Sequence, residues 1–345
     1  VASLPPLPPN PQGVAWPTEA WPKGDLSDHD APALLAHVDH AFSPDGLGEL
    51  GETHALVLVQ GGRLIFERYA EGMDASSTHP SWSKAKSITH ALAGLLVGDG
   101  IIDIHAPAGA PEWAAPDDPR GAITLDQLLR MSSGLKFNEI YVPDQGSDVI
   151  EMLFGQGKDD VAAFAASFPL AHAPDTHFSY SSGTTNIISR RLGAAIGARG
   201  AGFEAFMRAR LFDPLGMRSP QPKFDAAGTF IGSSFCFATA QDFARFGLLY
   251  LRDGMWDGRR ILPEGWVDYA RTPTYQQPDV PDGPYGAHWW LGLGGPGSFS
   301  ANGFEGQFTV VVPDLDLVIV RHGRSPLEAR DALAAWMNAL AEAFR

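Results

Sequence analysis

The chain has 345 residues, 44% of them hydrophobic and 19% charged, with a formal net charge of −15. Such a composition belongs to a globular protein with ample length for a large core, built as one big domain or two intergrown ones. A uniformly acidic surface repels phosphate backbones and anionic bilayers, which argues against nucleic acid as a partner. The lone Cys236 rules out an internal disulfide and a cysteine-rich metal site. No apolar run is long enough to span a bilayer.

Taken in chain order, residues 1–30 read as a proline-rich N-terminal arm with two Trp-Pro pairs, Trp16-Pro17 and Trp21-Pro22. An extended arm lying on the surface, anchored by its tryptophans, is expected. The chain starts at Val1 rather than methionine, which points to an upstream segment removed or not built; a signal peptide or lipid anchor would fit, and neither a cytoplasmic nor a periplasmic location is fixed. Pro32 to Phe42 has the spacing of a helix. Ala55–Val59 and Leu64–Phe66 flank Gly61-Gly62, the signature of a β-hairpin. A long apolar helix follows from Ser83 through Val97 and ends at Gly98-Asp99-Gly100.

From Ile101 to Leu251 helical patterns dominate, over Thr124–Met131, Val161–Phe168, Thr185–Ile196, Phe203–Leu211 and Asp242–Tyr250. Strand patterns return at Trp289–Leu291, Phe308–Val312 and Leu317–Val320, and Leu327–Phe344 closes the chain as a helix. The expected fold is therefore α/β in the α+β sense. An antiparallel sheet is built from both chain ends (31–100 and 252–345) and flanked by helices, with a mainly helical region (101–251) inserted and a cleft between the two parts.

Three segments carry candidate chemistry. Ser83 and Lys86 stand one helical turn apart, so a hydroxyl and an amine share one face. A serine is a poor nucleophile until a neighbouring base takes its proton, and a partly desolvated lysine can help do so. Ser81 and Lys84 form a second, overlapping pair; the buried look of the helix after Lys86 favours the later register and makes Lys84 the solvent-facing lysine. Tyr180 and Ser182, just before the helix near Thr185, can bring a phenol to that pair, useful as a base when a cation stabilises its phenolate. Gly303, Phe304 and Glu305 precede the strand at Phe308. A backbone N–H of Phe304 or Glu305 could join that of Ser83 as an oxyanion site. Tyr141 is a candidate lid or leaving-group contact.

In this order, Ser-x-x-Lys after a hairpin, Tyr-x-Ser in a helical region and a Gly-rich strand near the end, the chain resembles the serine β-lactamase and penicillin-recognising superfamily. The likeness is greatest to its class C side, with class VIII carboxylesterases and 6-aminohexanoate-dimer hydrolases. Leu128-Leu129-Arg130-Met131-Ser132-Ser133-Gly134, Thr239-Ala240-Gln241-Asp242-Phe243-Ala244-Arg245-Phe246-Gly247, Tyr285-Gly286 with Trp289-Trp290, and Pro313 also match family patterns. The Trp-Pro arm and Glu139-Ile140-Tyr141 lean toward the aminohexanoate-hydrolase branch. The resemblance implies a serine hydrolase of small esters or amides working through an acyl-enzyme, without metal or organic cofactor. One departure matters. Where class C enzymes carry Lys-Thr-Gly, this chain has Gly303-Phe304-Glu305-Gly306, with no cation, so strong recognition of a substrate carboxylate is not expected. A β-lactamase, a D,D-peptidase and a non-catalytic ligand sensor are the rival readings.

Other chemistries lack their motifs. There is no Gly-x-Ser-x-Gly elbow, His-Glu-x-x-His, phosphate loop or dinucleotide fingerprint. His37 with His40, and His172 with His177, lack the spacing of a metal site and read as solvated or capping residues. His322 reads as structural or exposed. The partner expected is a small ester or amide; oligomeric state, homo-oligomers included, is not legible.

Overall fold

The computed structural model describes residues 3–274 and 283–345. The sequence also offers residues 271–286 as one of the loops that would set the width of the expected cleft; this loop lies partly outside the described residues. Strands β1 (Glu52–Gln60) and β2 (Arg63–Tyr69) form the predicted hairpin. Its turn residues Gly61 and Gly62 sit at φ 58° and 75°, the left-handed pair that a tight hairpin turn demands. Four further strands come from the C-terminal part: β3 (Trp290–Leu291), β4 (Phe299–Gly303), β5 (Gln307–Val312) and β6 (Leu317–Arg324). The sheet order is β2-β1-β6-β5-β4-β3, antiparallel throughout. Both chain ends thus build one sheet, as expected.

Period-two alternation sends the strands' side chains to two separate cores. Leu56, Leu58, Val310, Val312 and Ile319 face helices α1 (Ala31–Ala41) and the C-terminal helix (Arg330–Glu342), meeting Leu34, Val38, Leu333, Met337 and Leu340. Ala55, Val57, Val59, Phe299, Ala301, Val318 and Val320 face the larger core. There they meet α2 (Ala85–Gly98), α3 (Leu125–Leu129), α4 (Ser182–Ile196) and α5 (Ala240–Leu251).

Two expectations are revised. Phe299–Gly303 is a strand of its own, although Ser-Ala-Asn-Gly has poor strand propensity; pairing Thr309 with Ala301 and Gln307 with Gly303 imposes the extended form. The helix of the nucleophile candidate begins with a 3-10 turn over Trp82–Lys84 before α2 proper. The arm runs along the body. Trp16 packs on Trp256 with ring centroids 5.1 Å apart, and the Arg252 and Arg271 guanidiniums donate to the carbonyls of Pro8 and Pro5 at 3.1 and 2.6 Å.

Candidate active site

Ser83 lies in the first turn of its helix, where backbone N–H groups have no intrahelical acceptor. The residue before it, Trp82, is held at φ 43°, a conformation disfavoured for a bulky side chain. Packing sustains it: the indole stands 5.6 Å from the Phe235 ring and 5.7 Å from the Phe304 ring. Backbone strain maintained by surrounding contacts is a frequent feature of functional turns.

Lys86 is 1% exposed, and its amine donates to Ser83 Oγ at 3.0 Å, Ser182 Oγ at 2.9 Å and the Ser233 carbonyl at 2.9 Å. Burial pushes the ammonium down to about 8, against the opposing pull of the Glu139 carboxylate. Ser182 opens α4, and Glu139 holds it there: one carboxylate oxygen accepts from its backbone N–H at 2.8 Å, the other from its hydroxyl at 2.6 Å. Burial raises the Glu139 carboxyl above its ordinary range, partly offset by Lys86 and these hydrogen bonds.

The Tyr180 ring lies 4.9 Å from the Lys86 amine and packs against Trp290 and Tyr285 at 5.2 and 5.9 Å. Met131, in the middle of the Leu-Leu-x-Met-x-Ser-Gly segment and itself at φ 56°, fixes this stretch. Its carbonyl accepts from Ser179 N–H at 2.9 Å, and its sulfur lies 3.4 Å from Ser181 N and 3.3 Å from Thr184 Oγ1. Sequence-distant segments thus bring Ser83, Lys86, Tyr180 and Ser182 to one place.

Gly303 ends β4 against the backbone just before Ser83. A Cβ there would collide with the Ser81 carbonyl oxygen. Gly303→Val is therefore expected to lower stability by about 1–3 kcal/mol through forced overpacking, read as a drop in the melting midpoint. Phe304, Glu305 and Gly306 form the turn into β5, with Glu305 at φ 64°. The Gly303 carbonyl accepts from Gly306 N–H at 3.3 Å. Because a trans peptide points its N–H opposite its C=O, the Phe304 N–H is directed away from the turn. It meets no protein acceptor among the described residues. The Glu305 carboxylate lies 3.8 Å from the Arg324 guanidinium, and its carbonyl accepts from Ser325 N–H at 3.0 Å. Tyr141 is 38% exposed, donates to a Glu139 carboxylate oxygen at 3.2 Å and packs 5.5 Å from the Phe304 ring.

The other register, Ser81 and Lys84, is buried. The Ser81 hydroxyl shares its one proton between the carbonyls of Trp82 and Ser234 at 3.0 and 3.2 Å, and accepts from Cys236 N–H at 2.9 Å. Lys84 overturns its expectation: it is 1% exposed rather than solvent-facing. Its amine contacts Thr309 Oγ1 at 3.0 Å and His322 Nε2 at 3.2 Å and sits 3.6 Å above the Phe243 ring. Among the described residues no carboxylate pairs with it, and burial holds its ammonium well below the usual lysine range. His322 is likewise buried. His172 and His177 stack on the surface 4.1 Å apart. Among the described residues no cluster of His, Cys, Asp and Glu could hold a metal ion, and no helix is long and apolar enough to cross a membrane. Sequence reasoning missed Glu139 as the anchor of Ser182 and the Ser233 carbonyl as a partner of Lys86; no local signal marks the latter.

The chain belongs to the beta-lactamase family, whose members are serine hydrolases; the family model matches residues 52–344. Among its relatives is the 6-aminohexanoate-dimer hydrolase of Paenarthrobacter ureafaciens, 26% identical over 331 residues, covering 90% of this chain and 82% of that one. The same fold is seen in a Bacillus anthracis structure provisionally described as a 6-aminohexanoate-dimer hydrolase, with a TM-score of 0.74 at 22% identity over 97% of this chain and 89% of that one. A family VIII carboxylesterase shares it too, with a TM-score of 0.67 at 14% identity over 90% and 98%.

Proposed function

We propose that the chain hydrolyses small, uncharged carboxylic esters or amides through an acyl-enzyme on Ser83. The observation that carries this reading is the set of neighbours around the Lys86 amine. The Ser233 carbonyl can only accept a hydrogen bond, and the Ser182 hydroxyl, whose proton goes to Glu139, accepts as well. A neutral Lys86 thus spends its two protons on them and turns its lone pair to Ser83 Oγ. Ser83 attacks the carbonyl carbon while its proton passes to Lys86. The N–H groups of Ser83 and Phe304 stabilise the tetrahedral oxyanion, worth about 3 kcal/mol per donor. The Tyr180 phenol, beside the Lys86 amine, relays a proton to the leaving alcohol or amine as its bond to the carbonyl breaks. Water then attacks the acyl carbon and gives up a proton to the Lys86–Tyr180 pair, which passes it to Ser83 Oγ as the acyl–oxygen bond breaks and the carboxylic acid leaves.

The substrate class follows from the lining. Strand β4 contributes no cation, and Trp82, the residue before Ser83, belongs to a run of aromatic rings in contact, Tyr141, Phe304, Trp82 and Phe235. Both features suit uncharged groups on either side of the scissile bond. The test is intact-mass spectrometry after exposure to a panel of esters, amides and β-lactams, with peptide mapping of the adduct and turnover of p-nitrophenyl acetate and butyrate. Acylation on the Ser83 peptide with multiple turnovers of the esters is the expected result. A single burst without turnover would make the protein a ligand sensor. Nitrocefin hydrolysis as fast as ester hydrolysis would make it a β-lactamase.

A further inference from the structure

Lys84 follows the proposed nucleophile directly, yet its side chain leaves the cleft and enters the inner face of the sheet. There it begins a chain of hydrogen bonds whose direction can be worked out. Gln307, the first residue of β5, accepts the Gly323 N–H on Oε1 at 3.1 Å and donates from Nε2 to the Gly323 carbonyl at 2.6 Å. This pair of bonds fixes the amide's orientation, since a flipped amide would face donor to donor and acceptor to acceptor. His322 Nδ1, 3.1 Å from the same Oε1, must therefore carry a proton. In the neutral ring Nε2 is then an acceptor, and the Lys84 amine 3.2 Å away donates to it. The second Gln307 proton goes to the Phe304 carbonyl at 3.1 Å. Lys84 is also tied to β5 through Thr309 Oγ1 at 3.0 Å.

We propose that Lys84, His322 and Gln307 form a positioning relay, joining the turn that carries Ser83 to the turn that carries Phe304 and so holding the two oxyanion donors in register. The proposal rests on the hydrolase reading of the site. None of the three residues touches substrate; each acts by fixing backbone that does. Once the spacing of two N–H groups decides oxyanion stabilisation, a shift of about an ångström costs about 100-fold in rate. A buried lysine facing only neutral partners is otherwise a liability, because burial disfavours its charge and nothing nearby restores it.

The test is a double-mutant cycle with Lys84→Met and Gln307→Met, assayed with p-nitrophenyl butyrate. Each single variant is expected to lose about 10- to 100-fold in kcat with KM within about threefold, because the oxyanion forms only after binding. The double variant is expected to be no worse than the weaker single variant, since both changes cut one relay. Multiplying losses, or losses in KM alone, overturn the relay. So does unchanged kcat in folded variants. Should Lys84→Met fail to fold, Thr309→Val replaces it in the cycle with the same expectation and a smaller loss. Wild-type protein that never acylates Ser83 would instead bring down the hydrolase reading, and the relay with it.

Discussion

Replacing Ser83 with alanine is expected to abolish ester turnover and covalent labelling by a fluorophosphonate. The loss should reach at least about 10⁴-fold, because the remaining oxyanion donors can only assist attack by water. Ser81→Ala is the matched control. Its hydroxyl serves the backbone of Trp82, Ser234 and Cys236, so that variant should lose stability while keeping its fluorophosphonate label. A label that survives in Ser83→Ala and vanishes in Ser81→Ala would transfer the nucleophile to the earlier register. The folded state of Ser83→Ala should be close to that of the parent, since the lost hydroxyl takes part in a hydrogen bond with Lys86 alone among the described side chains.

The second large effect concerns the proton. Tyr180→Phe removes a hydroxyl and little packing, so it should lower kcat by about 100- to 10,000-fold, the usual contribution of a positioned acid or base. Near-parental activity would remove the phenol from the mechanism. The pH profile of kcat/KM tests Lys86 separately. A base must be unprotonated to work. Burial brings the Lys86 ammonium down to about 8, so the rate should rise with pH and level off above about 8. A profile flat from pH 6 to 10 would mean that this amine does not titrate in the rate-determining step. Lys86→Met should remove the pH dependence along with the activity.

Much of the fold was readable because its signals are local. Gly61-Gly62 writes its own turn, and the apolar stretch after Lys86 writes its own helix. The site was readable only as pieces. Ser83 and Lys86 are one turn apart, so their pairing follows from helix geometry alone, whereas bringing Tyr180 to them is an expectation that came from the superfamily pattern. Lys84 was misread for a physical reason. The partners that make room for it, Thr309 and His322, stand 225 and 238 positions away, and a lysine beside a serine carries no mark of them. Phe299–Gly303 escaped because its strand form is imposed by neighbours, not by its own side chains. Glu139 could be placed near the site only through the family likeness; its grip on Ser182 depends on a fold-level approach of two segments 43 positions apart.

The first long strand finds its hydrogen-bonding neighbour in the last one, Glu52 opposite Arg324 and Val57 opposite Val320. Such distant pairing comes late in folding, because the intervening loop must first be closed. Ser83 and Lys86 lie more than 200 positions ahead of the turn bearing Phe304. A nascent chain made only as far as Leu251 therefore carries the hydroxyl and the amine without β3, β4, β5 and β6, and the proposed oxyanion site exists only once those strands have been added.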